Sequence, residues 1–430
     1  MKHPVRTLSI LALMGAAIPA VHAVSVKDEA EGLSVSLKLN VQARVSLYNK
    51  ADNATGGSFD PIRGQNGRAE EARFDERRVR FGTSFKYGDN WAGQMIIRSD
   101  NQDRVAGFAK DSESTQNRNL QLYYAYIQRI DKIGDSVTGT ISMGLQKAFH
   151  SESATSSSTF LFPSDSICKQ LADGGQARNP GLGYLVSAPF LNVGVDLQNN
   201  STGVKDADAQ SRKNGMFYSG RIEIAPGADW MIAKRTESFA GKEGQGLVLG
   251  FDYQVDEGIT NGNNQAAAAN GAITDAANGT YNYVSNTQFG PDLLFHWNQI
   301  TAVAEFREKS AKTQANNTTS VVSNNTVKGQ FWDVQVAYAI PVSGVFIEPA
   351  IRYSKIDNVK SSTVAGAVTS EKSTYGSGPD NGGSGNQWDI GVNCYWNGHA
   401  IKTQLAYQHW TAEDGSGKAD IVRLQQQINF

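Results

Sequence analysis

Asp420-Ile-Val-Arg-Leu-Gln-Gln-Gln-Ile-Asn-Phe430, the end of the chain, alternates in polarity almost without a break. Val422, Leu424, Ile428 and Phe430 share one parity, with Gln426 the one polar residue between them. Arg423, Gln425, Gln427 and Asn429 share the other, which is polar apart from Ile421. Successive side chains of a strand point to opposite faces, so this stretch reads as a strand with one apolar and one wet side.

The same pattern recurs upstream. Leu33, Val35, Leu37, Leu39, Val41, Ala43, Val45 and Leu47 alternate with Ser34, Ser36, Lys38, Asn40, Gln42, Arg44, Ser46 and Tyr48. Strands of water-soluble domains average about 5–6 residues. A tilted strand that crosses a bilayer needs about 9–11. Further alternating runs follow, the first over 78–87 with Arg78, Arg80 and Lys86 on its polar face. Next come 91–100, with Arg98 polar, and 120–129, where Leu120, Leu122, Tyr124 and Tyr126 alternate with Gln121, Tyr123 and Arg129. The remaining runs lie near 137–146, 182–188, 190–198, 216–224, 246–255, 289–297, 300–308, 330–340, 345–356, 388–396 and 401–410.

Residues 230–237 alternate too, but counting them as a strand makes the total odd and turns Lys234 to the apolar side. Without them the short connections (341–343, 298–299, 397–399) all fall on one side, and the long polar ones (257–287, 310–328, 357–386) on the other. Single-chain bacterial barrels are even-stranded. The expected fold is therefore all-β, a sixteen-stranded antiparallel transmembrane barrel. Its apolar parity carries almost no charge, and Trp91, Trp332, Tyr353, Trp388, Trp396 and Phe430 stand near strand ends, where aromatic girdles belong.

The N-terminus fits that destination. Lys2 and Arg6 precede the apolar run 8–20 and the small-x-small end Val21-His-Ala23. This reads as a signal peptide over 1–23, leaving a barrel of residues 24–430. Mean hydropathy is −0.40, uninformative for a barrel that places its apolar residues at every second position. Without Lys2 and Arg6, 38 basic residues face 42 acidic ones, which argues against a nucleic-acid partner. Cys168 and Cys394 are too few to read as a disulfide framework, and the sequence leaves their pairing open.

Several blocks, in order along nearly the whole mature chain, resemble the phosphate-selective porin O and P family. They are Arg77-Arg-Val-Arg-Phe-Gly82 with Gly88-Asp-Asn-Trp91, Gly144-Leu-Gln-Lys-Ala-Phe-His-Ser-Glu-Ser153, Ala304-Glu-Phe306, Ile351-Arg-Tyr-Ser-Lys-Ile-Asp357, Val392-Asn-Cys-Tyr-Trp-Asn397 and Val422 to Phe430. The resemblance implies a homotrimeric outer-membrane porin whose third long loop folds into the lumen. Residues 148–181 stand in that loop's place, although Ala148 occupies a position where the family often has proline. Family members that select phosphate line the pore with arginines and a constriction lysine.

Here the wet parity supplies Lys38, Arg44, Arg78, Arg80, Arg98, Arg221, Arg352 and Arg423 as candidate pore-lining, anion-binding residues, with Arg307 and Lys402 besides. It also supplies Asp196, Glu223, Asp252, Glu305, Asp333, Glu348 and Asp389. Arg44, Arg73, Arg77, Arg78, Arg80 and Arg98 come from three adjacent strands, so one wall is expected to be basic. Either these arginines attract anions, or they pair with acids such as Asp75, Glu76 and Asp100 and support the wall.

The expected role is a passive channel for small hydrophilic solutes, with small anions and lipid as partners and no cofactor or metal. The alternative is a receptor or adhesin acting through the long loops. No His-Glu-x-x-His, Gly-x-Ser-x-Gly or Walker motif points to an enzyme. His296, near Ser285 and Asp292, is the one histidine whose surroundings suggest chemistry.

Overall fold

The computed structural model describes residues 25–28, 32–48, 59–60, 65–66, 71–100, 120–147, 162–163, 178–199, 212–213, 216–227, 245–260, 280–316, 322–364, 367–372, 384–413 and 418–429. Residues 1–23, which the sequence reads as a leader, Cys168, Phe430 and the candidate strand 230–237 lie outside them.

Sixteen antiparallel strands close into a barrel: β1 (Leu33–Tyr48), β2 (Glu71–Tyr87), β3 (Trp91–Asp100), β4 (Gln121–Lys132), β5 (Thr138–Lys147), β6 (Arg178–Ala188), β7 (Leu191–Asn199), β8 (Met216–Ile224), β9 (Gln245–Thr260), β10 (Thr280–Trp297), β11 (Ile300–Asn316), β12 (Val322–Tyr338), β13 (Val345–Val364), β14 (Gly385–Asn397), β15 (Ile401–Ala412) and β16 (Lys418–Asn429). Each pairs with the next, and β16 returns to β1 in register from Asn40↔Asn429 to Tyr48↔Ile421. Closure leaves no open edge across the barrel, which a bilayer requires because its core offers no water to unpaired backbone groups. β8 pairs directly with β9. A short strand, Ser25–Asp28, folds back onto Leu33–Ser36 of β1.

Burial follows the alternation. On β12, Phe331, Asp333, Gln335 and Ala337 are buried on the inside, while Trp332, Val334, Val336 and Tyr338 are exposed on the outside. Outward aromatics mark two levels. Tyr87, Trp91, Phe190, Trp297, Tyr338 and Trp396 stand at the short-turn end, and Trp332, Tyr353 and Trp388 nearer the long loops. Between Trp388 and Trp396 the outward positions of β14 are Ile390, Val392 and Cys394. An apolar band between aromatic girdles is the surface of a barrel seated in a bacterial outer membrane. Cys394 is a free thiol on that face.

Two readings of the sequence need correction. Residues 310–316 and 322–328 are strand and not loop. β11 and β12 stay paired up to Asn316↔Val322, and β13 likewise runs on to Val364 and turns back through Ala367–Lys372. Past the membrane boundary a strand needs no apolar face, so the Thr-, Ser- and Asn-rich extensions lose the alternation while keeping the ladder.

The second correction is on β4. Opposite Ile96 and Ile97 of β3 stand Tyr124 and Leu122, so Tyr123 is an extra, bulged residue. The bulge reverses the parity beyond it. Tyr124 and Tyr126 fall on the lumen face, where the Tyr126 hydroxyl lies 3.5 Å from Gln94 Oε1. Arg129 falls outside, 3.0 Å from Asp131 and 6.0 Å from the centre of the Trp91 ring.

Candidate functional site: the lumenal wall

The polar parity turns its side chains into the bore, and the register decides what each meets. On β1–β3, Arg44 and Arg78 are buried, Arg78 beside Gln42, and Arg80 stands directly opposite Arg98. Two like charges at adjacent cross-strand positions repel. The bulge answers by driving Tyr123 inward: its ring centre lies 4.2 Å from Arg80 Cζ and 4.6 Å from Arg98 Cζ. An aromatic face carries negative electrostatic potential and holds guanidinium groups at such distances. A second bulge, at Arg77 on β2, falls in the same patch. Side chains of 71–77, Arg73, Asp75, Glu76 and Arg77 among them, lie outside the described residues. Lys38 is exposed, opposite Gly82.

Eight strands away, the wall is built of ion pairs. The Arg221 guanidinium (β8) grips Asp292 (β10) at 2.6 and 2.8 Å and donates from Nε to Glu223 at 2.9 Å. Arg307 (β11) makes a fork onto Asp252 (β9) and lies 3.3 Å from Glu305. All six side chains are buried, so two guanidiniums serve four carboxylates. Gly250 makes room for this cluster. A Cβ there would fall 2.2 Å from Asp292 Oδ1 and 2.3 Å from Arg221 Nη2.

Between these walls, Arg352 (β13) donates to Asp389 (β14) at 3.0 Å, and Gln387 donates to the same oxygen at 2.8 Å. Ser354 lies 3.3 Å from Asp333, and Glu348 accepts from Asn393 and Tyr395 at 3.0 and 2.9 Å. Lys402 Nζ stands 5.6 Å from the Tyr395 ring centre, and Arg423 donates to Gln408. The eight candidate residues thus do not share one setting. Arg221 and Arg352 lie against carboxylates, Arg80 and Arg98 share a tyrosine face, and Arg423 meets an amide.

Sequence reasoning missed Phe162. It belongs to the connection 148–177 between β5 and β6, yet it is buried against Ala337, Ala350 and Ala406 on β12, β13 and β15. Arg352 Cζ lies 4.7 Å from its ring centre. Those strands face β5 and β6 from across the barrel. Phe162 therefore sits across the bore from the strands its connection joins, its ring in a cradle of small residues on the far wall. Three inward alanines within one polar face were the only available signal.

His296 does not form a catalytic pair with its sequence neighbours. Fully buried at the short-turn end, its Nδ1 lies 3.0 Å from the Thr301 hydroxyl, while Asp292 is held by Arg221.

No family model matches the chain, and neither does any curated protein. Solved structures do. The structure of OprB from Pseudomonas putida at high pH aligns with a TM-score of 0.53 at 10% identity, over 92% of this chain and 94% of its own. The anion-selective porin from Comamonas acidovorans aligns at 0.52 and 11%, over 93% and 100%. The trimer form of OmpT, an outer membrane protein of Vibrio cholerae, aligns at 0.51 and 8%, over 93% and 100%. At such identities the likeness is one of fold, and it defines the class: a sixteen-stranded outer-membrane barrel with the same architecture as these channels.

Proposed function

We propose that this barrel is a porin, a passive diffusion channel for small hydrophilic solutes that favours anions, phosphate among them. The observation that carries the reading is Phe162 seated on the far wall. Phe162 brings part of the connection between β5 and β6 into a bore whose walls are charged, so a permeating ion passes close to fixed charges where the low-dielectric barrel focuses their field. Covalent chemistry is not needed for such passage.

Anion preference rests on Arg44, Arg78, Arg80 and Arg98, with Lys38 at the exposed edge of the patch. Arg221 and Arg352, held by acids, act mainly to support the wall. The name of the Comamonas porin and the resemblance to phosphate-selective porins point the same way. Assembly as a homotrimer is proposed on that resemblance and on the trimeric Vibrio structure.

The test is the zero-current potential of the purified protein in a planar bilayer under a KCl gradient, repeated with phosphate added. A chloride-favouring potential and a current blocked by millimolar phosphate are expected. A potential at zero or favouring potassium, with no block, would show that the lumenal acids offset the arginines and would overturn the anion reading.

A further inference from the structure

Across β12–β16 the register aligns outward-facing residues into three cross-strand rows. The lowest is apolar: Val336, Ile351, Ile390, Tyr407, Val422 and, on β1, Leu47. The next is Val334, Tyr353, Trp388, His409 and Asp420. Above it, toward the long loops, run Trp332, Lys355, Asn386, Thr411 and Lys418. Hydrocarbon, interface and headgroup levels follow one another within three positions of strand. In a bilayer the ester carbonyls of lipids lie at the middle level, where Trp and Tyr also settle.

Centred on that level and spanning the three rows, four side chains form a relay. Asp420 Oδ1 lies 2.7 Å from His409 Nδ1 and accepts a hydrogen bond from the Tyr407 hydroxyl at 2.5 Å. The carboxylate places the imidazole proton on Nδ1, which leaves Nε2 with its lone pair. Thr411 Oγ1 stands 3.0 Å from that nitrogen. Hydroxyl, base and orienting carboxylate in this order are the activated-nucleophile arrangement. His409 and Asp420 keep 34% and 33% of their side-chain surface exposed, so the site opens outward. Thr411 is flanked on the same face by Asn386 and Lys418. The Asn386 carbonyl oxygen is held by the Tyr353 hydroxyl at 2.7 Å, which fixes the amide nitrogen as its donor end. An amide and an ammonium beside the nucleophile are suitable donors to an oxyanion.

We propose that Thr411, His409 and Asp420 form a second site, on the outside of the barrel, that hydrolyses acyl esters of membrane lipids. Thr411 Oγ attacks the ester carbonyl carbon as its proton passes to His409 Nε2. The carbon–oxygen bond to the lipid alcohol then breaks, and the departing oxygen takes that proton. The acyl group remains on Thr411. Water gives a proton to His409 and attacks the acyl-threonine, the carboxylic acid leaves, and the proton returns to Thr411 Oγ. One ester and one water become one acid and one alcohol. Thr411 and His409 touch the reacting atoms, whereas Asp420 and Tyr407 are positioning residues.

The test uses the full barrel reconstituted in vesicles of glycerophospholipid, and separately with acylated lipid A, with release of free fatty acid as the readout. Channel conductance is recorded for every variant as the check on folding, and it also keeps this proposal separate from the porin reading. Wild type and Thr411→Ser should release fatty acid, and the Thr411 peptide should carry an acyl mass when trapped in acid. Thr411→Val should lose about a hundredfold or more of the rate. Asp420→Asn should lower kcat about tenfold or more with KM little changed, since it disturbs the imidazole and not lipid binding. Turnover of one lipid and not the other supports the site and identifies its substrate. Release from neither lipid by wild type, or Thr411→Val working as fast as wild type, would overturn it.

Discussion

Gly250 shows how a single missing side chain holds part of the lumen together. Its absent Cβ leaves the space in which Arg221 and Asp292 meet, and Gly250→Ala would push a methyl into both. A buried ion pair whose partners are forced apart leaves each charge desolvated, at a cost of about 3–5 kcal/mol. Gly250→Ala is expected to lower the urea midpoint for unfolding from lipid vesicles by a corresponding amount. Gly220 is the control, because a Cβ there would meet nothing nearer than 3.6 Å and Gly220→Ala should leave the midpoint nearly unchanged. Equal losses at both positions would show that strand glycine itself, not the Arg221 cluster, is what matters. None of this is legible in the sequence. Arg221 and Asp292 are far apart in the chain, and which of the lumenal acids an arginine meets depends on register across three strands. Parity gives the face of a residue and stops there.

At the scale of an element, the β2–β3–β4 sheet shows what alternation reads well and what defeats it. Arg78, Arg80 and Arg98 fall on the inner face as the period of two requires. One extra residue, Tyr123, then reverses everything after it on β4. Residues 120–126 are apolar or aromatic at nearly every position, so a slipped register costs the pattern little and the sequence cannot mark the bulge. The bulge is also what brings a tyrosine ring to Arg80 and Arg98. Replacing both arginines by glutamine is therefore expected to lower the chloride-to-potassium permeability ratio by about tenfold in 0.1 M salt. The change should fade toward 1 M, where the Debye length falls from about 10 Å to about 3 Å. A ratio that does not move at low salt would remove this patch from the ion path. The relay on β15 and β16 was readable in principle. Pairing Leu405 with Leu424 by their shared parity sets His409 beside Asp420, but a search for linear motifs does not bring together residues that meet only across a hairpin.

For the whole molecule, the sequence disclosed strand number, order and sidedness because the bilayer imposes one rule on every strand at once. Where that rule lapses, the reading lapsed too, as in the paired extensions of β11–β13 that were read as loops. This difference can be measured. Leu405 faces outward between Val392 and Leu424, midway between the aromatic levels, and Leu405→Arg should cost about 2–4 kcal/mol of stability in refolding titrations in lipid vesicles. Gln330, exposed on the same outward face one step beyond Trp332, pairs with Glu308, and Gln330→Arg should be close to neutral in the same titration. Both substitutions add the same charged group to a paired strand, so the contrast isolates the solvent each position meets. If Gln330→Arg were as costly as Leu405→Arg, the membrane boundary would lie above Gln330. The polar row from Lys355 to Lys418 would then sit in hydrocarbon, and Thr411 would stand well below the lipid esters it is proposed to cleave.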